Sequence, residues 1–187
     1  MVQSEGLIID KFYIPPFTVD KGDIVIIELP NGPHFTEVLF RMVDVLTRKK
    51  EISSVAMNAD FVFVNHIVEE GWTRFFRPMT VRRFIKRNAN PSDWSVNKVY
   101  DLCDLKPTTQ VRRLTNNHKK LLSMLTALSR TNNIIFDLLG VDPTGGKMAY
   151  DIVKENARKG GTVILLDNCD EFKNDCTKYI RYEMVSR

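Results

Sequence analysis

Residues 114–168 read LTNNHKKLLSMLTALSRTNNIIFDLLGVDPTGGKMAYDIVKENARKGGTVILLDN, and this stretch decides the fold. After His118, apolar residues recur at helical spacing, which predicts a helix over residues 118–130 whose one apolar face is formed by Leu121, Leu125 and Leu128. Residues 134–137 (IIFD) are a short apolar run that ends in an acid, as a buried strand does. The first half of the stretch is therefore predicted to be a helix followed by a strand.

The second half of the stretch repeats this order. Asp142 or Thr144 is predicted to cap a second helix, and a glycine pair ends it. Residues 162–166 (TVILL) then form another apolar run with a strand pattern. Helices and strands that alternate with short links are typical of a parallel sheet covered by helices, so the predicted fold class is α/β.

The remaining patterns lie on both sides of this stretch. Residues 23–29 (DIVIIEL) are rich in β-branched residues and predict a buried strand, which a loop and a helix follow. Thr80 and Ser95 are predicted to cap two further helices. Shorter strand patterns are expected at residues 7–14, 52–57, 61–65 and 179–185.

Composition limits the possible classes of protein. The 187 residues suffice for one domain, and a hydrophobic content of 43% with 27% charged residues is ordinary for a globular protein. No apolar run is long enough to span a bilayer, and no secretory leader is recognisable. Three cysteines and three histidines form no zinc pattern, and an odd cysteine count favours a reducing, cytoplasmic location. The mild formal charge of +4 is compatible with a nucleic acid or an anionic membrane surface as partner, although a solvated basic surface is the more common meaning.

The order of these patterns resembles the ATP-binding cassette (ABC) ATPase domain. Residues 17–32 (FTVDKGDIVIIELPNG) resemble the strands that lead into its phosphate loop, residues 134–137 its Walker B strand, and residues 140–143 (GVDP) its D-loop. Residues 114–118 (LTNNH) stand at the signature peptide. The resemblance implies a P-loop NTPase-like fold over residues 1–187 as a single domain, with a mostly parallel sheet and a small helical insert over roughly residues 66–113.

The phosphate loop departs from the family's GxxGxGK[ST] pattern. Leu29 and His34 replace glycines, Pro33 removes a backbone N–H donor, and Phe35 stands where the pattern has its Lys. The resemblance implies a degenerate nucleotide site whose positions are Asn31, Gly32, Phe35, Thr36, Asp137 and Asn168.

Two other sites in the family pattern have also changed. Leu138 replaces the Glu that activates the attacking water, and Asn168 replaces the switch His. No residue is therefore assigned a catalytic role, no metal site is predicted, and no cofactor is expected beyond weak binding of ATP and Mg²⁺. The signature and D-loop positions are Thr115, Asn116, Asn117 and Asp142.

The function expected from the resemblance is that of an ABC ATP-binding subunit without ATP hydrolysis, acting as a non-catalytic or regulatory partner. The alternatives are an active, divergent ABC ATPase and a nucleic-acid-associated module, although nucleic acid is the least favoured partner. Trp72, Phe75 and Phe76 are predicted to contact a protein partner, because exposed aromatic residues often mark an interface. That partner would be an ABC-type ATPase or a transporter membrane subunit, in a homo- or heterodimer, which would place the chain in the cytoplasm or at the membrane surface.

Overall fold

The computed structural model describes residues 1–67, 78–103 and 105–185. It contains two compact units. The sheet unit comprises residues 1–63, 133–138 and 153–187, and the helical unit comprises residues 64–132 and 139–152. The predicted insert over residues 66–113 lies within the helical unit, and its extent as a separate insert stays a prediction.

The strands all belong to the sheet unit. In chain order they are β1 (Val2–Ser4), β2 (Leu7–Ile9), β3 (Phe12–Ile14), β4 (Phe17–Val19), β5 (Ile24–Glu28), β6 (Val55–Met57), β7 (Val62–Phe63), β8 (Asn133–Phe136), β9 (Thr162–Asp167), β10 (Lys178–Arg181) and β11 (Glu183–Met184). Within the described residues, the helices are α1 (Phe35–Leu46), α2 (Val81–Asn88), α3 (Trp94–Cys103), α4 (Asn116–Leu128) and α5 (Pro143–Arg158).

A five-stranded parallel sheet forms the centre of the sheet unit, in the order β10-β5-β9-β8-β7. Its middle strands are apolar on both faces: every residue of β9 is buried, as are four of the five residues of β5. Buried parallel strands read as continuous apolar runs because helices or other layers cover both faces. The prediction that the strands at residues 23–29, 134–137 and 162–166 share one parallel sheet is confirmed.

Two small antiparallel sheets complete the sheet unit, in the orders β4-β1-β6 and β11-β3-β2. The prediction of one strand over residues 7–14 is wrong. The chain turns at Asp10, whose φ is 56°, so that β2 and β3 pair with each other, with Leu7 opposite Ile14. Aspartate tolerates this left-handed conformation better than most residues, which lets it form a tight turn inside an otherwise strand-like run.

The last predicted strand is also two strands. Residues of β10 pair with β5 in the parallel sheet, whereas β11 pairs with β3 in an antiparallel sheet. Two other strands are shorter than predicted: pairing covers only Val55–Met57 and Val62–Phe63 of the expected residues 52–57 and 61–65.

Helix α4 is the most buried helix of the helical unit. Its buried residues are Lys120, Leu121, Leu122, Ser123, Met124, Leu125, Thr126 and Leu128. A single apolar face is therefore too narrow a description, because polar residues on its other faces are buried as well. Their hydrogen bonds explain how: Ser123 Oγ donates to the Asn65 carbonyl at 2.7 Å, and Thr126 Oγ1 donates to the Leu122 carbonyl at 2.9 Å. Among the described residues, no helix combines the length and the apolar composition that a bilayer crossing needs.

Candidate functional site

The predicted phosphate loop lies between β5 and α1, as the family resemblance implies. A short 3₁₀ turn spans Gly32–His34, and the Phe35 N–H donates to the Gly32 carbonyl. Gly32 has a φ of 77°, a conformation that glycine adopts at no steric cost. Asn31, Gly32, Pro33 and Thr36 are exposed. The loop therefore occupies the expected place in the topology, but one of its N–H groups is absent and another is used within the turn.

Phe35 is part of the hydrophobic core. Its exposed fraction is only 4%, and it belongs to the same buried cluster as Ile135 of β8 and Leu166 of β9. Burying a phenylalanine side chain contributes about 2–3 kcal/mol to folding. Position 35, where the family pattern has a Lys, thus carries an apolar side chain that stabilises the sheet unit and supplies no charge.

The next charged residues on α1 are paired with each other. Arg41 Nη2 lies 2.7 Å from Glu37 Oε1, and Arg41 Nη1 lies 2.7 Å from Asp10 Oδ1. One guanidinium group is therefore held by two carboxylates. The first turns of α1 offer little net positive charge to an anion near the loop.

Carboxylates gather where three neighbouring parallel strands end. Glu28 ends β5 and lies in register with Asp167, which ends β9, while Asp137 directly follows β8. Asp137 is completely buried and Asp167 is almost so. Burial, together with the nearby charge of Asp137, raises the pKa of Asp167 to about 6. Three carboxyl groups therefore lie at this edge of the sheet, where burial penalises ionised side chains.

Glu28 is oriented by residues of the neighbouring strand β10. Tyr179 donates its hydroxyl proton to Glu28 Oε2 at 2.7 Å, and Arg181 Nε lies 3.3 Å from the same oxygen. Burial and the hydrogen bond to Glu28 raise the pKa of the Tyr179 hydroxyl, since ionising it would place two negative charges together. Sequence reasoning did not identify Glu28 or Tyr179, because only the parallel pairing of β10 with β5 brings them together.

Asn168, the predicted switch position, follows Asp167 at the end of β9. Its backbone N–H donates to Asp167 Oδ1 at 2.8 Å, and its side-chain oxygen accepts a weak hydrogen bond from Cys169 Sγ at 3.4 Å. These contacts fix the polar end of the strand. Within the described residues no group of three or more His, Cys, Asp or Glu side chains is arranged to hold a metal ion.

The residues predicted to form the signature peptide and the D-loop meet within the helical unit. Thr115 caps α4, its hydroxyl accepting from the His118 N–H at 3.3 Å. Asn117 Oδ1 accepts from the Asp142 N–H at 3.1 Å, and Asp142 Oδ1 accepts from the Gly145 N–H at 2.9 Å. Hydrogen bonds to the Asp142 carboxyl from the Gly145 N–H and from the Asn117 side chain lower its pKa. Asp142 therefore caps α5, as one of the two predicted alternatives had it.

Asn116 and Asn117 lie against glycines of this same segment. A Cβ at Gly145 would overlap the amide of Asn117, and one at Gly140 would lie 3.5 Å from Asn116 Nδ2. Gly140 has a φ of 69°. The amide of Asn117 is thus used to hold the start of α5, a role that sequence reasoning missed. The glycine pair at residues 145 and 146, unusual in the first turn of a helix, was the available signal.

The predicted interface residues Trp72, Phe75 and Phe76 lie outside the described residues. Of the neighbouring positions that the structure describes, Asn65 and His66 are exposed. The hypothesis of an aromatic interface at residues 65–81 stays a prediction.

Comparisons with known proteins agree with this architecture. No family model and no curated protein sequence matches the chain. An ABC transporter ATP-binding protein from Pyrococcus furiosus superposes with a TM-score of 0.68 at 16% identity, covering 96% of each chain. A nucleotide-free ATP-binding cassette from an ABC transporter gives 0.65 at 17% identity, over 100% of this chain and 92% of that one. An ATP-binding subunit of an ABC transporter gives 0.66 at 14% identity, over 89% and 77%.

These likenesses establish the fold. The chain has the α/β architecture of ABC ATP-binding cassettes, a P-loop NTPase-like fold, as the sequence patterns predicted. At identities of 17% and below they extend to the fold alone.

Proposed function

We propose that this chain is a degenerate counterpart of ABC ATP-binding subunits that does not hydrolyse ATP and acts as a non-catalytic partner of another protein. The observation that carries the proposal is the burial of Phe35 in the core of the sheet unit. Phosphoryl transfer depends on cations that neutralise the developing charge on the β- and γ-phosphates. A buried aromatic side chain at position 35 provides none.

Two further changes act on different parts of the reaction. Pro33 lacks the N–H that a phosphate cradle would use, and Leu138 has no group that could accept a proton from an attacking water. A charge-assisted hydrogen bond contributes about 1.5–3 kcal/mol, so these losses together leave turnover near the uncatalysed rate.

Weak nucleotide binding is compatible with the proposal. Gly32 and Thr36 are exposed at the start of α1, and a helix N-terminus attracts anions. With no assigned counterion for the γ-phosphate, binding of Mg²⁺-ATP would be weak and would serve no chemistry. The chain is therefore proposed to need no cofactor.

The partner is proposed by analogy with other proteins of the same fold. Structures of the same fold include one described as an inward-facing conformation of a metal-chelate type ABC transporter, and cbiO1, described as part of the ABC transporter complex cbiONQ. By analogy the partner is an ABC-type ATPase or a transporter membrane subunit, and the chain acts in the cytoplasm at the membrane surface. A homo- or heterodimer is compatible with this role.

An ATPase assay on the purified chain tests the catalytic half of the proposal. With Mg²⁺-ATP, phosphate release should equal the buffer background, and Asp137→Ala and Thr36→Ala should leave it unchanged. Thr36 is exposed, so that variant stays informative even where loss of the buried Asp137 carboxylate impairs folding. Turnover that either substitution abolishes would contradict the proposal and identify a divergent ATPase.

A further inference from the structure

Seven exposed cations lie on two neighbouring segments of the helical unit. We call them the basic surface: Arg82, Arg83, Lys86 and Arg87 on α2, and Lys106, Arg112 and Arg113 on the segment 106–113. Within residues 1–67, 78–103 and 105–185, none of the seven has an acidic side chain within ion-pair distance. Two of the arginines contact neutral groups: Arg112 Nε donates to Gln110 Oε1 at 2.9 Å, and Arg83 Nη1 donates to the Pro78 carbonyl at 3.5 Å.

Backbone hydrogen bonds hold the two segments together. The Val81 N–H donates to the Thr109 carbonyl at 2.9 Å, and the Arg82 N–H donates to the Pro107 carbonyl at 3.0 Å. An antiparallel bridge joins Thr80 to Gln110. The cations therefore lie on two segments whose backbones are hydrogen-bonded to each other.

Helix α2 is held in place by groups other than its four cations. Val81 and Ile85 are buried and anchor it, and Thr80 caps it. Its first turn contains Arg82 and Arg83 and no acidic residue, although the positive end of the helix dipole favours acids there. Arg82 and Lys86, and likewise Arg83 and Arg87, are four residues apart, so the pairs form two parallel rows of like charge. Lys86 and Arg87, in the last turn, suit the negative end of the dipole, so Arg82 and Arg83 are the two cations that the helix dipole disfavours.

The charge is concentrated in one of the two units. Residues 64–132 and 139–152 contain 14 basic and 7 acidic residues, whereas the rest of the chain contains 13 basic and 16 acidic ones. The modest total of +4 thus hides an excess of positive charge in the helical unit. An extended polyanion is the ligand that such a surface attracts.

Two features favour nucleic acid over an anionic membrane. Five of the seven cations are arginines, whose planar fork binds phosphate oxygens through two hydrogen bonds. A stable peripheral membrane contact usually adds an inserted apolar group to the charge. No large exposed apolar side chain among the described residues lies on α2 or on the segment 106–113. We propose that the basic surface binds the phosphate backbone of a nucleic acid without reading its sequence, a role independent of the function proposed above.

Binding of this kind has a recognisable salt dependence. For single strands, log K falls with log salt concentration by about 0.7 for each phosphate neutralised. Contacts to four or five phosphates would give a slope of about −3. The probe is a fluorescein-labelled single-stranded RNA of mixed sequence, and its anisotropy is measured at several KCl concentrations with the whole chain.

Matched variants decide whether the basic surface is responsible. The test variant carries Arg82→Gln, Arg83→Gln, Lys86→Gln and Arg87→Gln, which should weaken RNA binding at least about tenfold and flatten the salt slope. The control carries Lys21→Gln, Lys49→Gln, Lys50→Gln and Arg158→Gln, four exposed cations of the sheet unit that form no described ion pair. It has the same net charge and should bind RNA nearly as the natural chain does.

Three results would overturn the proposal. In the first, the natural chain shows no salt-dependent binding of RNA. In the second, the test and control variants lose the same amount of RNA affinity. In the third, the natural chain binds phosphatidylserine vesicles and not RNA, and the test variant no longer binds the vesicles. Circular dichroism melting of both variants verifies folding, since glutamine has a helix propensity close to that of arginine and lysine.

Discussion

At the scale of single residues, carboxyl groups are buried where the strands of the parallel sheet end. Asp137 and Asp167 end neighbouring strands and are buried, and Glu28 lies in register beside Asp167. The pKa of Asp167 is raised to about 6, first by burial and then by Asp137. At neutral pH an ionised Asp167 therefore destabilises the fold, while its protonated form does not.

This shift predicts a pH-dependent effect of Asp167→Asn. Because the folded pKa of about 6 exceeds the unfolded value of 3.8, the folded chain binds the proton more tightly, and stability is lost as pH rises through 6. Asparagine cannot ionise, yet its oxygen can still accept from the Asn168 N–H. Relative to the natural chain, the variant should gain about 2 kcal/mol between pH 4 and pH 7.5, since each pKa unit corresponds to about 1.36 kcal/mol and the unfolded carboxyl is already partly ionised at pH 4.

Urea unfolding at a series of pH values measures this difference. Asp137→Asn is the informative companion variant, because removing its charge should lower the pKa of Asp167 and shrink the pH dependence. A difference between Asp167→Asn and the natural chain that is constant with pH would show that Asp167 is ionised normally.

At the scale of elements, the starts of α4 and α5 are joined within the helical unit. Asn117 of α4 accepts the Asp142 N–H, and its amide occupies the space that a side chain on Gly145 would need. Asp142 then caps α5 through the Gly145 N–H. The residues predicted to form the signature peptide and the D-loop thus hold each other in place, which is a structural role independent of any nucleotide.

The contact between Asn117 and Gly145 predicts that the effect of Gly145→Ala on the free energy of unfolding changes sign when Asn117 is replaced. Alone, the substitution should destabilise the chain by about 1–2 kcal/mol, because Asn117 must move and its hydrogen bond to Asp142 is lost. With Asn117→Ala already present, the same substitution should be neutral or stabilising by up to about 1 kcal/mol, the usual advantage of alanine over glycine in a helix. A double-mutant cycle from chemical unfolding gives the coupling energy. Additive effects of the two substitutions would mean that they do not meet.

At the scale of the whole molecule, the long apolar runs made the central sheet predictable. The runs around Ile26, Ile135 and Ile164 are β-branched and uninterrupted, and short links between strands and helices restrict them to a parallel sheet. The ABC-like fold followed from their order and is confirmed by the structural likenesses. Local pattern was sufficient here because burial on both faces leaves a strong signal.

The features that sequence reasoning missed depend on contacts between distant residues. The turn at Asp10 and the division of residues 178–184 between two sheets have no strong local marker. The burial of α4 on its polar faces depends on carbonyls of residues 64 and 65, about 56 residues earlier in the chain. The Asn117–Asp142 contact likewise joins two motifs that were considered separately. Tertiary packing decided each of these outcomes, and local propensity did not.

The central claim is that position 35, where the phosphate-loop pattern of the family has a Lys, is occupied by a phenylalanine of the hydrophobic core. Its most direct test is to put that Lys back with Phe35→Lys, and to compare Thr36→Lys, which introduces the same side chain at the next, exposed position. Equilibrium unfolding and titration with Mg²⁺-ATP are measured for both. Losing a buried phenylalanine costs about 3–5 kcal/mol, and an unpaired buried charge adds to this, whereas exposed substitutions usually change stability by less than about 0.5 kcal/mol. We expect Phe35→Lys to lose at least about 3 kcal/mol without gaining affinity for ATP, and Thr36→Lys to remain near the natural stability. A stable Phe35→Lys variant that binds Mg²⁺-ATP more tightly than the natural chain would contradict the account.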